Sequence, residues 1–280
     1  MIYLILAVAS SAAISIAMRA SEKHVKNELA MFMSNYLVCM ALSFGFMENK
    51  THFFSSVSSS GLTILLGGLS GVMFLANFLF YKYNMKQNGV VMSATFMKLG
   101  VLVPTIMAVA VFGEMPRITQ IIGILVALGA IVLINFEKDA LSEGKHMLFL
   151  ILLLLVSGFT DSMANVFDKM ADPAQKDTYL LATFGTAFLI TVILVCAKKI
   201  KVGKMDILFG ALIGIPNYFS SLFLILSLQE IEAVLVYPTY SVATMITIAI
   251  AGVLIFHEKI SKKKLCALGL ILLALVLLNI

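Results

Sequence analysis

Apolar residues run along this chain in long blocks, with polar positions confined to short gaps between them. The blocks fall at roughly 2–19, 28–47, 61–83, 89–112, 117–135, 146–167, 178–197, 205–228, 233–256 and 263–280. A helix needs about 20 apolar residues to cross a bilayer, and each block has about that length. The pattern predicts ten transmembrane helices, called spans 1 to 10, with neighbours antiparallel because the gaps are short. The most polar gap, EKDALSEGK from Glu137 to Lys145, divides the chain nearly in half and reads as a linker.

The two halves repeat. Shifting the sequence by 144 residues brings Val90 onto Val234, Thr95 onto Thr239, Val109 onto Val253, Phe112-x-Glu114 onto Phe256-x-Glu258, and Asn135 onto Asn279. Over 90–136 this gives 11 identities in 47 positions. Apolar bias explains matches among Val, Leu and Ile. It does not explain a paired Glu at the same helix end or a paired Asn. Each copy has an odd number of spans, so the copies must face opposite ways. The expected fold is therefore an all-α membrane protein of ten transmembrane helices as two inverted five-helix repeats, residues 1–136 and 146–280, joined by the 137–145 loop. Carriers built this way place substrate near the midplane.

Composition fits. Charged residues make up 12% of the 280 residues and hydrophobic ones 61%, too few charges to cover a soluble surface. The net charge of +5 reads as basic loops on one membrane face rather than as a nucleic-acid surface, since no aromatic–basic interleaving occurs. Gaps after the odd-numbered spans hold fifteen Lys and Arg. The other gaps hold four: Lys50, Arg117, Lys169 and Lys176. By the positive-inside rule the first set is cytoplasmic and both termini lie outside. The first block lacks a basic leader and reads as an uncleaved helix. Cys39, Cys196 and Cys266 read as buried small apolar residues without metal spacing, and His24, His52, His146 and His257 are too dispersed for a metal site.

A helix that ends in a small residue and Glu, a tight turn, and a following helix with an early Gly or Ala and a later Gly appear in PTIMAVAVFGEMPRITQIIGILVALGAIVLI (104–134). They appear again around FHEKISKKKLCALG (256–269). This unit resembles the EamA repeat of the drug/metabolite transporter superfamily, and the resemblance extends over the whole chain. It implies a multi-pass carrier in the cell membrane, often an exporter of amino acids or other small solutes, with no enzymatic activity. Two features depart from the pattern. His257 and a Lys cluster stand where the first copy has Gly113 and Pro116-Arg117, and the family's bacterial members are expected to hold both termini inside.

Ionisable residues inside a membrane segment cost several kcal/mol and mark function by default. Lys98 in span 4 and Asp161 in span 6 lie well inside. Lys98 shares a helical face with Thr95 and Thr105, and Asp161 with Ser157, Asn165 and Asp168. One reading gives Lys98 a substrate carboxylate and Asp161 an ammonium or a proton. The other is an internal salt bridge or a snorkelling Lys. Span 6 corresponds by repeat to span 1, which carries an essential Glu in the related small multidrug resistance proteins. The resemblance thus implies a coupling or substrate-binding carboxylate at Asp161. Asn77, Tyr81 and Asn84 form a polar stripe on span 3. Asn217, Tyr218 and Ser221 do so on span 8, and Tyr237, Tyr240, Ser241 and Thr244 on span 9 beside Pro238. Each stripe alone fits a helix–helix contact, and together they fit the wall of a polar cavity. Glu114 and Glu258 read as interface residues beside the following helix N-terminus. Gly67-x3-Gly71 and Gly210-x3-Gly214 permit close packing.

No nucleotide loop, dinucleotide fingerprint or paired catalytic carboxylate occurs, so the expected energy source is a proton, ion or solute gradient, with no cofactor. The expected cargo is an amino-acid-like zwitterion. The alternatives are a choline-like organic cation, held by Asp161 and tyrosine faces, or a non-transporting membrane scaffold.

Overall fold

A computed structural model describes residues 1–47, 60–88, 90–135, 147–256 and 262–279. Among these the chain forms α1 (Ile2–Ser21), α2 (Glu28–Phe46), α3 (Gly61–Asn88), α4 (Val90–Leu99), α5 (Leu102–Ala110), α6 (Ile118–Asn135), α7 (Met147–Met170), α8 (Lys176–Ala197), α9 (Lys204–Glu230), α10 (Ala233–Phe256) and α11 (Lys262–Asn279). Among the described residues, seven helical segments are long and apolar enough to cross a membrane. Three shorter apolar stretches accompany them, at Phe96–Ala110, Ile118–Leu133 and Leu268–Leu278. Large apolar side chains cover the outside, among them Leu65, Leu189, Ile193 and Leu254, each more than 60% exposed. Such a surface is stable only against lipid. The linker 137–145, with His52, His146, His257 and Glu258, lies outside the described residues.

Span 4 is not one helix. It breaks at Gly100–Val101 into α4 and α5. Pro104 has no N–H, so the Gly100 carbonyl cannot receive its usual donor and takes Val103 N at 2.9 Å instead. Gly100 N and Val101 N likewise turn back to Met97 O and Lys98 O, at 3.2 and 3.3 Å. The break interrupts the expected Lys98–Thr105 face, and the Thr105 hydroxyl is spent on Val101 O at 2.8 Å.

The chain forms two compact units, Met1–Leu75 with Val166–Gln229, and Ala76–Asn165 with Glu230–Ile280. Each draws helices from both halves of the sequence. In the first unit, α3 and α9 use glycine seams. A Cβ on Gly67 would lie 2.7 Å from Ala182 Cβ and Tyr179 O on α8, and one on Gly71 would strike Thr183 O. A Cβ on Gly214 would lie 2.7 Å from Asn35 O on α2, and one on Gly210 would strike Met31 O. Backbones therefore touch, which maximises dispersion contact where no hydrophobic effect drives helices together. Phe167 stacks on Tyr179 at 4.3 Å, and Tyr179 Oη shares a 2.7 Å hydrogen bond with Ser70. Asn27 caps α2, accepting from Leu29 N at 3.0 Å. Of the cysteines only Cys39 is buried, its thiol donating to Gly214 O at 3.2 Å. Cys196 and Cys266 are exposed, on apolar helices that can present a small thiol to lipid as readily as to a core.

In the second unit α6 lies along α11, where a Cβ on Gly123 would come within 3.1 Å of Leu277 and Leu278. Ala127, Ala130, Val242 and Ala274 form a tight core between α6, α10 and α11. Gly113, at φ +70°, turns the chain out of α5. Gln120 then reaches back to Arg117 N at 2.8 Å, the reciprocal half of a capping box at the start of α6.

Candidate functional site

Lys98, Asp161 and a set of unsatisfied buried polar atoms lie in the second unit. Lys98 is half-buried in the last turn of α4, where the helix dipole favours a cation. Asp161 lies on α7 and is exposed. The two charges interact through space. Their helices are set by a glycine crossing. A Cβ on Gly100 would lie 3.0 Å from Gly158 N, and one on Gly158 would lie 2.5 Å from Val103 Cβ and strike Gly100 O. Main chain meets main chain at the point where α4 becomes α5. Ser157, beside Gly158, donates to Met97 O at 3.1 Å and satisfies a carbonyl loosened by the break. Lys98 is two residues before this crossing and Asp161 three residues after it. Sequence reasoning placed Ser157 on the Asp161 face but missed Gly100 and Gly158. Their signal was a glycine in an apolar block within three positions of each of the two charges.

α10 closes on the same helix. Tyr237, buried, donates to Asp161 O at 2.8 Å. The tyrosine thus holds the backbone at Asp161. Tyr240 and Ser241 are half-buried on the same helix. Pro238 and Val242 line a small apolar crevice with Val101, Leu102 and Thr105 at the break, closed on its far side by α6.

Among the described residues, Asn77 Oδ1, Thr119 Oγ1, Thr244 Oγ1 and both polar atoms of the Asn165 amide are buried without a hydrogen-bond partner. All four residues belong to the second unit. Asn165 is 1% exposed and one helical turn from Asp161. An unpaired buried amide costs on the order of 1–3 kcal/mol, so the Asn165 side chain stands ready for a further hydrogen-bond partner.

Other predicted site residues are accounted for as follows. Tyr81 is half-buried on α3. Asn84 donates to Phe80 O at 3.0 Å and accepts from Asn88 at 3.2 Å, a local helix contact. The backbone of Thr95 is in α4, and its side chain lies outside the described residues. Asn217 belongs to the first unit, where its amide donates to Asn35 Oδ1 at 3.2 Å. Glu114 reaches a helix far from it in sequence. It accepts from Val234 N at 2.8 Å and caps α10, 120 residues downstream. No cluster of three metal-ligating side chains occurs among the described residues.

A profile described as the EamA-like transporter family matches residues 1–136 and again 147–280. The chain belongs to the EamA-like transporter family. This EamA family is one of membrane transporters and not of enzymes, and its members are multi-pass membrane proteins, as the apolar helices here require. A protein of Haemophilus influenzae, named only as uncharacterized, is 25% identical over 273 residues, spanning 92% of this chain and 91% of its own. A crystal structure titled only as that of a protein superposes with a TM-score of 0.72 at 12% identity. It covers 99% of this chain and 94% of its own, which shows a shared fold.

Proposed function

We propose that this EamA-family chain is a secondary carrier that moves a small polar metabolite by alternating access, through ten spans in two inverted five-helix repeats. The glycine seams support the repeat. Span 3 (Gly67, Gly71) packs on span 7, and span 8 (Gly210, Gly214) packs on span 2. A twofold relation between the halves exchanges these two pairs. The broken span 4 supports a solute site, because half-helix ends at membrane depth hold charged groups in carriers of this plan.

One observation carries the reading: Asp161, an exposed residue in the middle of a span-length helix, puts its carboxylate within electrostatic reach of the Lys98 ammonium and one turn from the unpartnered Asn165 amide. A carboxylate facing hydrocarbon costs several kcal/mol, so this one faces water or solute. An amino-acid-like zwitterion satisfies both charges at once, its carboxylate at Lys98 and its ammonium at Asp161. Asn165 and Thr244 offer partners to its neutral groups. With the solute gone, the two protein charges compensate each other. A proton or ion gradient supplies the energy.

Counterflow in proteoliposomes over amino acids, amines, sugars and nucleosides tests this. Zwitterion exchange that is lost in both Asp161→Asn and Lys98→Ala is expected. The greater exposure of Asp161 relative to Lys98 favours the second reading, an organic-cation carrier, and flux that survives Lys98→Ala would select it. A folded protein without flux for any solute would leave the scaffold reading.

A further inference from the structure

The first unit carries a cationic surface that is no part of the solute site proposed above. Arg19 in the last turn of α1 and Lys23 and Lys26 in the α1–α2 connection are all exposed. Lys198, Lys199, Lys201 and Lys204 project from the α8–α9 connection, again all exposed. Two exposed carboxylates, Glu22 and Glu28, share this end, so the accessible excess is five positive charges.

These connections are tied into one body. Asp206 is wholly buried, and its Oδ1 accepts from Lys26 N at 2.8 Å and Asn27 N at 3.4 Å, while its Oδ2 accepts from Gly203 N at 2.9 Å. One carboxylate thus binds the two basic connections, 180 residues apart in sequence. His24 stacks on Phe209 at 5.5 Å, and Ser34 Oγ donates to Ile207 O at 2.9 Å, adding two more ties. A Cβ on Gly203 would make a tight contact there, 3.1 Å from Asp206 Oδ2. Beside the lysines, Val202, Met205, Ile207 and Leu208 are exposed. A fixed group of cations bordering exposed apolar side chains, at the end of membrane-spanning helices, matches a ligand with an anionic head and a hydrocarbon tail. A general charge bias that only orients the chain in the membrane would need no buried carboxylate to hold two loops together.

We propose that this face is a binding site for anionic phospholipid, its headgroup held by the paired basic connections and its acyl chains lying against Val202, Met205 and Leu208. Asp206 acts as a positioning residue.

The full chain in nanodiscs that mix phosphatidylglycerol with excess phosphatidylcholine provides the test, with retained lipid counted by native mass spectrometry. Wild type should retain phosphatidylglycerol at least about tenfold over its share. Replacing Lys23, Lys26, Lys198, Lys199, Lys201 and Lys204 by Gln should bring retention to parity, since each cation near an anionic surface is worth about fivefold. These side chains are exposed, so the fold tolerates the change. Asp206→Asn removes a negative charge, and diffuse electrostatics alone would then raise retention. The proposal requires retention to fall at least about threefold, because the loops lose their tie. Unchanged retention in the Gln variant, increased retention in Asp206→Asn, or displacement of the lipid by millimolar inorganic phosphate would each overturn it.

Discussion

Replacing Gly158 by Ala adds one methyl group where α7 meets the α4–α5 break. The new carbon would fall 2.5 Å from Val103 Cβ and strike Gly100 O. Both obstacles are close to or part of the main chain, so no flexible side chain can swing aside. The helices must separate by about 1 Å to restore van der Waals contact near 3.5–4 Å. Overpacking of this kind costs about 1–3 kcal/mol. Alanine also gains about 0.5–1 kcal/mol of helix propensity over glycine, which complicates a single measurement. Gly129 on α6 removes the complication, since a Cβ there meets nothing within 4 Å. The propensity gain cancels between the two alanine variants, and their difference isolates the crossing. Unfolding titrations in matched detergent should place Gly158→Ala about 1–3 kcal/mol below Gly129→Ala, and proteoliposome flux should fall in the first alone. Equal stability and equal flux would refute the claim that this backbone contact sets the site.

Other expectations follow from the same geometry. Ser157→Ala leaves the Met97 carbonyl without its side-chain donor and should cost about 0.5–1.5 kcal/mol, read by the same titration. Glu114→Ala uncaps α10 and should cost about 0.5–2 kcal/mol, while Glu114→Gln, which keeps an acceptor for Val234 N, should recover at least half of it. Gly214→Leu must push α9 from α2, since even a Cβ would lie 2.7 Å from Asn35 O. Loss of folded, monodisperse protein on size-exclusion chromatography is expected there but not for Gly45→Ala, whose Cβ meets nothing within 4 Å. Tyr237→Phe removes the hydrogen bond to Asp161 O and should slow counterflow without abolishing it, because the Asp161 carboxylate stays in place.

The all-helical, membrane-spanning character and the close-packed glycine pairs of α3 and α9 were legible because each is a local pattern of spacing and hydropathy. The Asp161 face survived intact because α7 is continuous through it. The Lys98 face did not, since Pro104 removes a donor four residues from Gly100, and its effect on helix continuity depends on whether a neighbour relieves the freed carbonyls. Ser157 does so from 60 residues away, a distance no periodicity encodes. Glu114 was recognised as a helix-end carboxylate, but its bond to Val234 N, 120 residues away, follows no spacing in the sequence. Asp206 passed unnoticed at the edge of a basic loop, where a single acid reads as a solvated charge, and only the fold shows it buried.

The central claim is that Asp161 lines a wet solute site inside the membrane domain. Cysteine accessibility tests it most directly: Asp161→Cys is placed in a chain whose Cys39, Cys196 and Cys266 are replaced by alanine, and is labelled by a membrane-impermeant thiol reagent. Reaction well above that of a lipid-facing Leu189→Cys control, suppressed by the transported solute, is the predicted result. A cysteine at 161 that reacts no faster than the control, with and without solute, would contradict it.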